Sequence, residues 1–107
     1  NELAHIVIEY AGSWYYGALY ATGATKLKIR DSIIRNNSLE GFYFDDDVVL
    51  NEFSNVTSTN NEKTAGLVGA KALSAIDSTS NFVGNIGGDY LSVSGDTLTT
   101  DQTWNAL

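Results

Sequence analysis

Three consecutive carboxylates, Asp45, Asp46 and Asp47, are the residues of this chain whose type is best suited to bind a metal ion or to transfer a proton. Carboxylate oxygens are the ligands that Ca²⁺ prefers, and paired carboxylates perform general acid and base catalysis in sugar hydrolysis. Only alternate residues of a strand share a face, so Asp45 and Asp47 are the candidate calcium ligands. A solvated acidic turn is the plainer interpretation. We therefore expect no cofactor, with calcium as the alternative.

The aromatic run Trp14, Tyr15 and Tyr16 is the second candidate site. Three aromatic side chains can form a flat platform on which sugar rings stack through their C–H faces. The same side chains can instead cover an open end of the hydrophobic core or fill a corner. Sugar binding and packing are the two alternatives for this run.

The composition excludes several other kinds of site. The 107 residues contain no cysteine and a single histidine, His5. Disulfides, thiolate zinc sites and centres with two imidazoles are therefore ruled out. The net charge of -7 argues against a nucleic-acid partner. No apolar run approaches the roughly 20 residues that cross a bilayer, so no membrane span is expected.

Short apolar runs, separated by polar residues, indicate the elements that position these side chains. The chain contains no proline and lacks a sustained helical stripe, so we predict strands of three to five residues. Asn37, Asn61 and Asn85 recur at a step of 24 residues. Further rows occur at steps of 24, 26 and 23 residues: Leu19, Tyr43, Leu67 and Leu91; Ile8 and Ile34; Leu27, Leu50 and Leu73.

A repeat of this length, made of short strands and turns, is typical of a parallel β-solenoid. Each strand then pairs with its equivalent one coil later, and Asn37, Asn61 and Asn85 form a buried asparagine ladder at one bend. We predict one all-β domain over 1–107, with about four coils of about 24 residues each. The coils are placed at 3–26, 27–50, 51–74 and 75–98, followed by a C-terminal closure at 99–107.

The chain resembles the right-handed parallel β-helix proteins with a pectate lyase-like fold. The resemblance rests on Ser-Ile-Ile-Arg-Asn-Asn-Ser-Leu-Glu-Gly-Phe-Tyr-Phe at 32–44, on Val-Ile-Glu-Tyr-Ala-Gly at 7–12 and on the closing stretch at 94–104. It implies the C-terminal coils of a secreted or cell-surface bacterial protein. Such domains usually carry an N-terminal cap. We therefore expect a fragment whose first coil is covered by the rest of a longer β-helix or by another chain.

No catalytic residue is predicted. A multi-coil carboxylate site needs acids one coil away, but a step of 24 residues from Asp45–Asp47 leads to 21–23 and 69–71, none of them acidic. The step of 26 places Arg35 beside Glu9, which predicts an ion pair rather than a lyase base. We expect a structural or glycan-facing segment with polysaccharide as a partner. The alternatives are part of a polysaccharide lyase or hydrolase, and a unit that self-associates through open coil ends.

The inward face of the segment 42–44 has two alternatives. The row Leu19, Tyr43, Leu67 and Leu91 suggests that Tyr43 points inward, whereas side-chain bulk favours Phe42 and Phe44. A slip of one residue exchanges the two faces of a strand.

Overall fold

Parallel strands, stacked coil on coil, form the architecture. The computed structural model describes residues 2–11, 17–76 and 78–94. Its elements are β1 (Glu2–Ala4), β2 (Val7–Glu9), β3 (Leu19–Ala21), β4 (Lys26–Arg35), β5 (Phe42–Phe44), β6 (Val49–Thr59), β7 (Thr64–Gly69), a 3-10 helix (Ala70–Ala75) and β8 (Gly88–Ser94).

Two parallel sheets contain these strands and confirm the predicted β-solenoid of about four coils. In the first sheet, β1 and β2 both pair with β4, and β4 pairs with β6. The second sheet runs in the order β3, β5, β7, β8. Single bridges from Phe53 to Ile76 and from Thr57 to Asn81 extend the first sheet into the fourth coil.

The pairing registers confirm part of the predicted rows. Ile8 lies opposite Ile34, Leu27 opposite Leu50, and Tyr43 opposite Leu67. The row of four at a step of 24 is wrong at both ends, where Leu19 pairs with Phe42 and Leu91 pairs with Gly66. An irregularity between Thr64 and Gly66 shifts the register there. Leu73 lies in the 3-10 helix, so it does not extend the third row as a strand residue.

The core lies between the two sheets and is built around phenylalanine rings. Phe42 and Phe44 have no exposed surface, whereas Tyr43 is only partly buried and faces outward. The face with the two phenylalanines is therefore the buried face of β5, because two phenyl rings gain more than one phenol from leaving water. Phe42 contacts Phe44, Phe53 and Phe82 at ring-centroid distances of 5.1, 5.0 and 6.0 Å.

Two rows of left-handed backbone bend the coils. The first comprises His5, Asp31 and Asn55, and the second comprises Tyr10, Asn36, Asn60 and Gly84; φ in the two rows lies between 49° and 81°. Asp31 and Asn55 lie inside β4 and β6, so each long strand turns a corner at its middle. Asn, Asp and Gly adopt this conformation at low cost, which explains why these types recur there.

The predicted asparagine ladder is confirmed. The Nδ2 atoms of Asn37 and Asn61 donate to the Oδ1 atoms of Asn61 and Asn85 at 3.0 and 2.9 Å. The backbone N–H groups of Asn37 and Asn61 donate to the same oxygens at 3.2 and 3.0 Å. In the first coil, the N–H of Ala11 donates to Asn37 Oδ1 at 2.9 Å. The Oδ1 atom of each ladder side chain thus accepts a hydrogen bond from a backbone N–H of the preceding coil, which would otherwise need a carbonyl partner in a neighbouring strand.

Candidate functional site

An open groove runs along the outside of the second corner row. We call it the asparagine groove and define it by Tyr10, Asn36, Ser38, Asn60 and Glu62, with Asn37 at its base. Its volume is about 440 Å³. The groove lies on the solvent side of the bend whose inner side carries the ladder.

Backbone hydrogen bonds between coils fix the positions from which the groove side chains project. Tyr10 N donates to Asn36 O at 3.2 Å, and Asn60 N donates to Gly84 O at 3.1 Å. The left-handed residue at each corner points its side chain outward, and the next residue points inward to the ladder. Because parallel strands stack about 4.8 Å apart, the outward side chains repeat at that spacing along the solenoid axis.

Asn36, Asn60 and Glu62 present side-chain polar atoms to a ligand, whereas the Asn37 amide belongs to the ladder and the Ser38 hydroxyl donates to Ala11 O at 3.3 Å. The side-chain amides of Asn36 and Asn60 form no hydrogen bond with any residue that the structure describes, and neither does the carboxylate of Glu62. Tyr10 is 80% exposed. An exposed phenol ring beside two amides without a partner among the described residues is a combination that suits a hydroxyl-rich ligand, since the ring stacks on apolar faces while the amides both donate and accept.

The charge around the groove is negative or balanced. The predicted ion pair is present, with Arg35 Nε donating to Glu9 Oε2 at 2.9 Å. Glu62 adds a carboxylate to the lining, whereas no lysine or arginine lines the groove in the described part of the chain. The described lining of the groove therefore offers no cation to an acidic ligand.

The carboxylate oxygens of Asp45, one of the two candidate calcium ligands, accept hydrogen bonds from three groups. It accepts from the Thr22 hydroxyl, from Gly23 N at 3.1 Å and from Asp47 N at 3.1 Å. The Thr22 hydroxyl, with the two backbone N–H groups, holds the pKa of the Asp45 carboxyl below its usual value. Its carboxylate thus links the corners of two successive coils.

Asp45, Asp46 and Asp47 border, with Tyr43, a small open pocket of about 260 Å³. Among the described residues, no three His, Asp or Glu side chains are arranged to hold a metal ion. Calcium binding at Asp45 and Asp47 stays a prediction.

Acid is expected to destabilise the fold through Asp45. Because the folded-state pKa is lowered, the ionised carboxylate stabilises the chain above the unfolded-state pKa of about 3.9, and this stabilisation is lost as the pH falls through the folded value. We expect Asp45→Asn to be less stable than the parent chain at pH 7 and to lose less stability below about pH 4. Urea unfolding of both chains between pH 7 and about pH 3 measures the difference in stability.

The matched control for that experiment is Asp47→Asn. The carboxylate of Asp47 accepts no hydrogen bond from a described residue, although its backbone N–H donates to Asp45. Its variant should lose less stability at pH 7 than Asp45→Asn does, because no hydrogen bond to a described residue is removed with the charge. If the free energy of unfolding of Asp45→Asn and of the parent changed with pH in parallel, Asp45 would not be the source of the loss in acid.

The aromatic run Trp14, Tyr15 and Tyr16 lies outside the described residues, so its sugar-binding role stays a prediction. Tyr10, Asn36 and Asn60 were not among the ligand-binding residues predicted from the sequence. The signal was present: each directly precedes a position in the ladder register, and Asn is a residue type that tolerates left-handed backbone.

The comparisons with known proteins do not show a family for this chain. Within the described part of the chain, no helix is long and apolar enough to span a membrane. The resemblance to pectate lyase-like proteins is supported as far as the parallel β-solenoid itself. No protein-family model, curated protein or solved structure matches the chain.

Proposed function

We propose that this chain is a non-catalytic, glycan-facing segment of a β-helix protein that is secreted or displayed on a bacterial cell surface. The asparagine groove is the observation that carries the proposal. It combines the exposed ring of Tyr10 with the amides of Asn36 and Asn60, which form no hydrogen bond with a described residue, on a backbone that is hydrogen-bonded from coil to coil. The solenoid fixes these groups before a ligand arrives, so little conformational entropy is lost on binding.

Three carboxyl groups of the described residues have structural partners rather than the surroundings of a catalytic acid. A glycosidase needs one carboxylic acid whose pKa is raised so that it can protonate the leaving group. Hydrogen bonds and charges from Arg30 lower the pKa of Glu2, and a hydrogen bond from Asn55 lowers that of Asp31. Asp45 shifts in the same direction. These three carboxyls are therefore suited to hold the coils together rather than to donate protons.

Replacing Tyr10 with asparagine is expected to weaken glycan binding about tenfold, because an aromatic stacking contact is worth roughly 0.5–1.5 kcal/mol beyond its buried area. Asparagine fits the left-handed backbone at this position, so the fold should be unaffected. A glycan array, followed by titration calorimetry on the best ligand, measures the change.

Tyr90→Asn is the matched control, since Tyr90 is 57% exposed but lies on β8, outside the groove. The control should bind like the parent chain. Equal loss in both variants, or no loss in Tyr10→Asn, would argue against the groove. Absence of glycan binding across the array would argue against the proposed function itself.

A further inference from the structure

We propose that the asparagine groove takes an extended, uncharged, β-linked glycan strand laid along the solenoid axis, with successive sugars at successive coils. This inference rests on the proposed function and specifies its ligand. It follows from three observations: the axial row of side chains, the chemistry of their polar atoms, and the sign of the nearby charge.

The groove side chains form a row along the axis. Tyr10 lies in the first coil, Asn36 in the second and Asn60 in the third, and the backbone pairing that stacks them is parallel. At about 4.8 Å per coil the three side chains span about 10 Å. The coil spacing of about 4.8 Å is close to the length of one pyranose unit in a fully extended β-1,4-linked chain.

The two amides suit sugar hydroxyls. Each offers two N–H donors and an acceptor oxygen, and a hydroxyl group can both donate and accept. The Asn36 and Asn60 amides present this pattern on adjacent coils. An extended β-1,4-linked chain turns each sugar over relative to the last, so the two amides would meet hydroxyls from opposite edges of adjacent sugars, and an amide can pair with either. Tyr10 ends the row with an exposed ring on which one further sugar can stack.

The electrostatics disfavour uronates and sulfated sugars. Glu62 lines the groove, the ion pair between Glu9 and Arg35 neutralises the neighbouring guanidinium, and the whole chain carries a net charge of -7. Lys63 follows Glu62 but lies outside the groove lining. An anionic polymer would therefore approach a like charge, which costs affinity and slows association.

Affinity electrophoresis with three polymers tests the inference: hydroxyethylcellulose as the neutral β-linked chain, polygalacturonate as the acidic chain and dextran as the neutral α-linked chain. The 107-residue chain should bind hydroxyethylcellulose more tightly than the other two. Asn60→Gly, which keeps the left-handed backbone and deletes the amide, should weaken that binding about three- to tenfold. Asn55→Gly, the same change at the other corner row, should leave binding unchanged.

Each other outcome has a distinct meaning. Tighter binding of polygalacturonate or dextran would overturn this inference and leave a glycan-facing function standing. Binding of hydroxyethylcellulose that Asn60→Gly and Tyr10→Asn both leave unchanged would place the glycan elsewhere and overturn it as well. Binding of none of the polymers, with none on the glycan array, would overturn the inference together with the proposed function.

Discussion

Replacing Asn61 with alanine is expected to lower the free energy of unfolding by about 3–5 kcal/mol. The Asn61 side chain has no exposed surface and lies in the middle of the ladder. Its Oδ1 accepts from the N–H and the Nδ2 of Asn37, and its Nδ2 donates to Asn85 Oδ1 and to Ser58 Oγ at 3.1 Å. Leaving a buried polar group without its partner costs roughly 1–3 kcal/mol, and this change affects groups in three coils.

The adjacent residue provides the control. Asn60 is exposed, its side chain forms no hydrogen bond with a described residue, and only its left-handed backbone constrains the substitution. Asn60→Ala should therefore cost about 1 kcal/mol. Urea unfolding of both variants, followed by circular dichroism, measures the difference.

A small and equal loss in Asn61→Ala and Asn60→Ala would mean that water replaces the ladder hydrogen bonds. The loss expected at Asn61 is a large share of the 5–15 kcal/mol that stabilises a typical domain. A variant that fails to fold, beside a folded Asn60→Ala, would agree with the expectation.

The repeat made the fold predictable from the sequence because a solenoid copies one local solution in every coil. The recurrence of asparagine at Asn37, Asn61 and Asn85 sufficed to locate the ladder, since a buried amide needs a partner at the same place in the next coil. The ion pair of Glu9 with Arg35 followed from the same register. The period of the repeat therefore predicted contacts between residues far apart in the chain, which a sequence without repeats does not indicate.

Register at the ends of the rows was not predictable in the same way. The second sheet tolerates an irregularity between Thr64 and Gly66, and a local shift of one residue leaves little trace in an average period. The groove was missed for a different reason. The sequence shows which asparagines recur, but only the backbone shows that Asn36 and Asn60 point outward while their neighbours point inward.

Adding a single methyl group at Gly66 is expected to destabilise the fold by about 3 kcal/mol. A Cβ atom there would meet Cε2 and Cζ of the Phe42 ring well inside van der Waals contact. That ring has no exposed surface and is surrounded by Phe44, Phe53 and Phe82, so it cannot move without disturbing them. Overpacking of a close-packed core typically costs about 1–3 kcal/mol.

Gly23→Ala separates the steric effect from the general cost of replacing glycine. A Cβ atom at Gly23 would meet nothing within 4 Å, but its φ of 68° strains an alanine. We expect a loss of about 1 kcal/mol for this variant, from the left-handed backbone alone. Urea unfolding of both glycine variants gives the comparison.

A double-mutant cycle identifies Phe42 as the residue that Gly66 accommodates. Phe42→Leu removes the ring atoms that the new methyl group would meet, so Gly66→Ala should cost less in that background, by about 1–2 kcal/mol. Additive losses would show that the ring is not the obstacle and that the constraint at Gly66 comes from β-sheet backbone instead. The expected coupling would show that, in the second sheet, the absence of a side chain at Gly66 makes room for the Phe42 ring, which permits β5 to bury both of its phenylalanines.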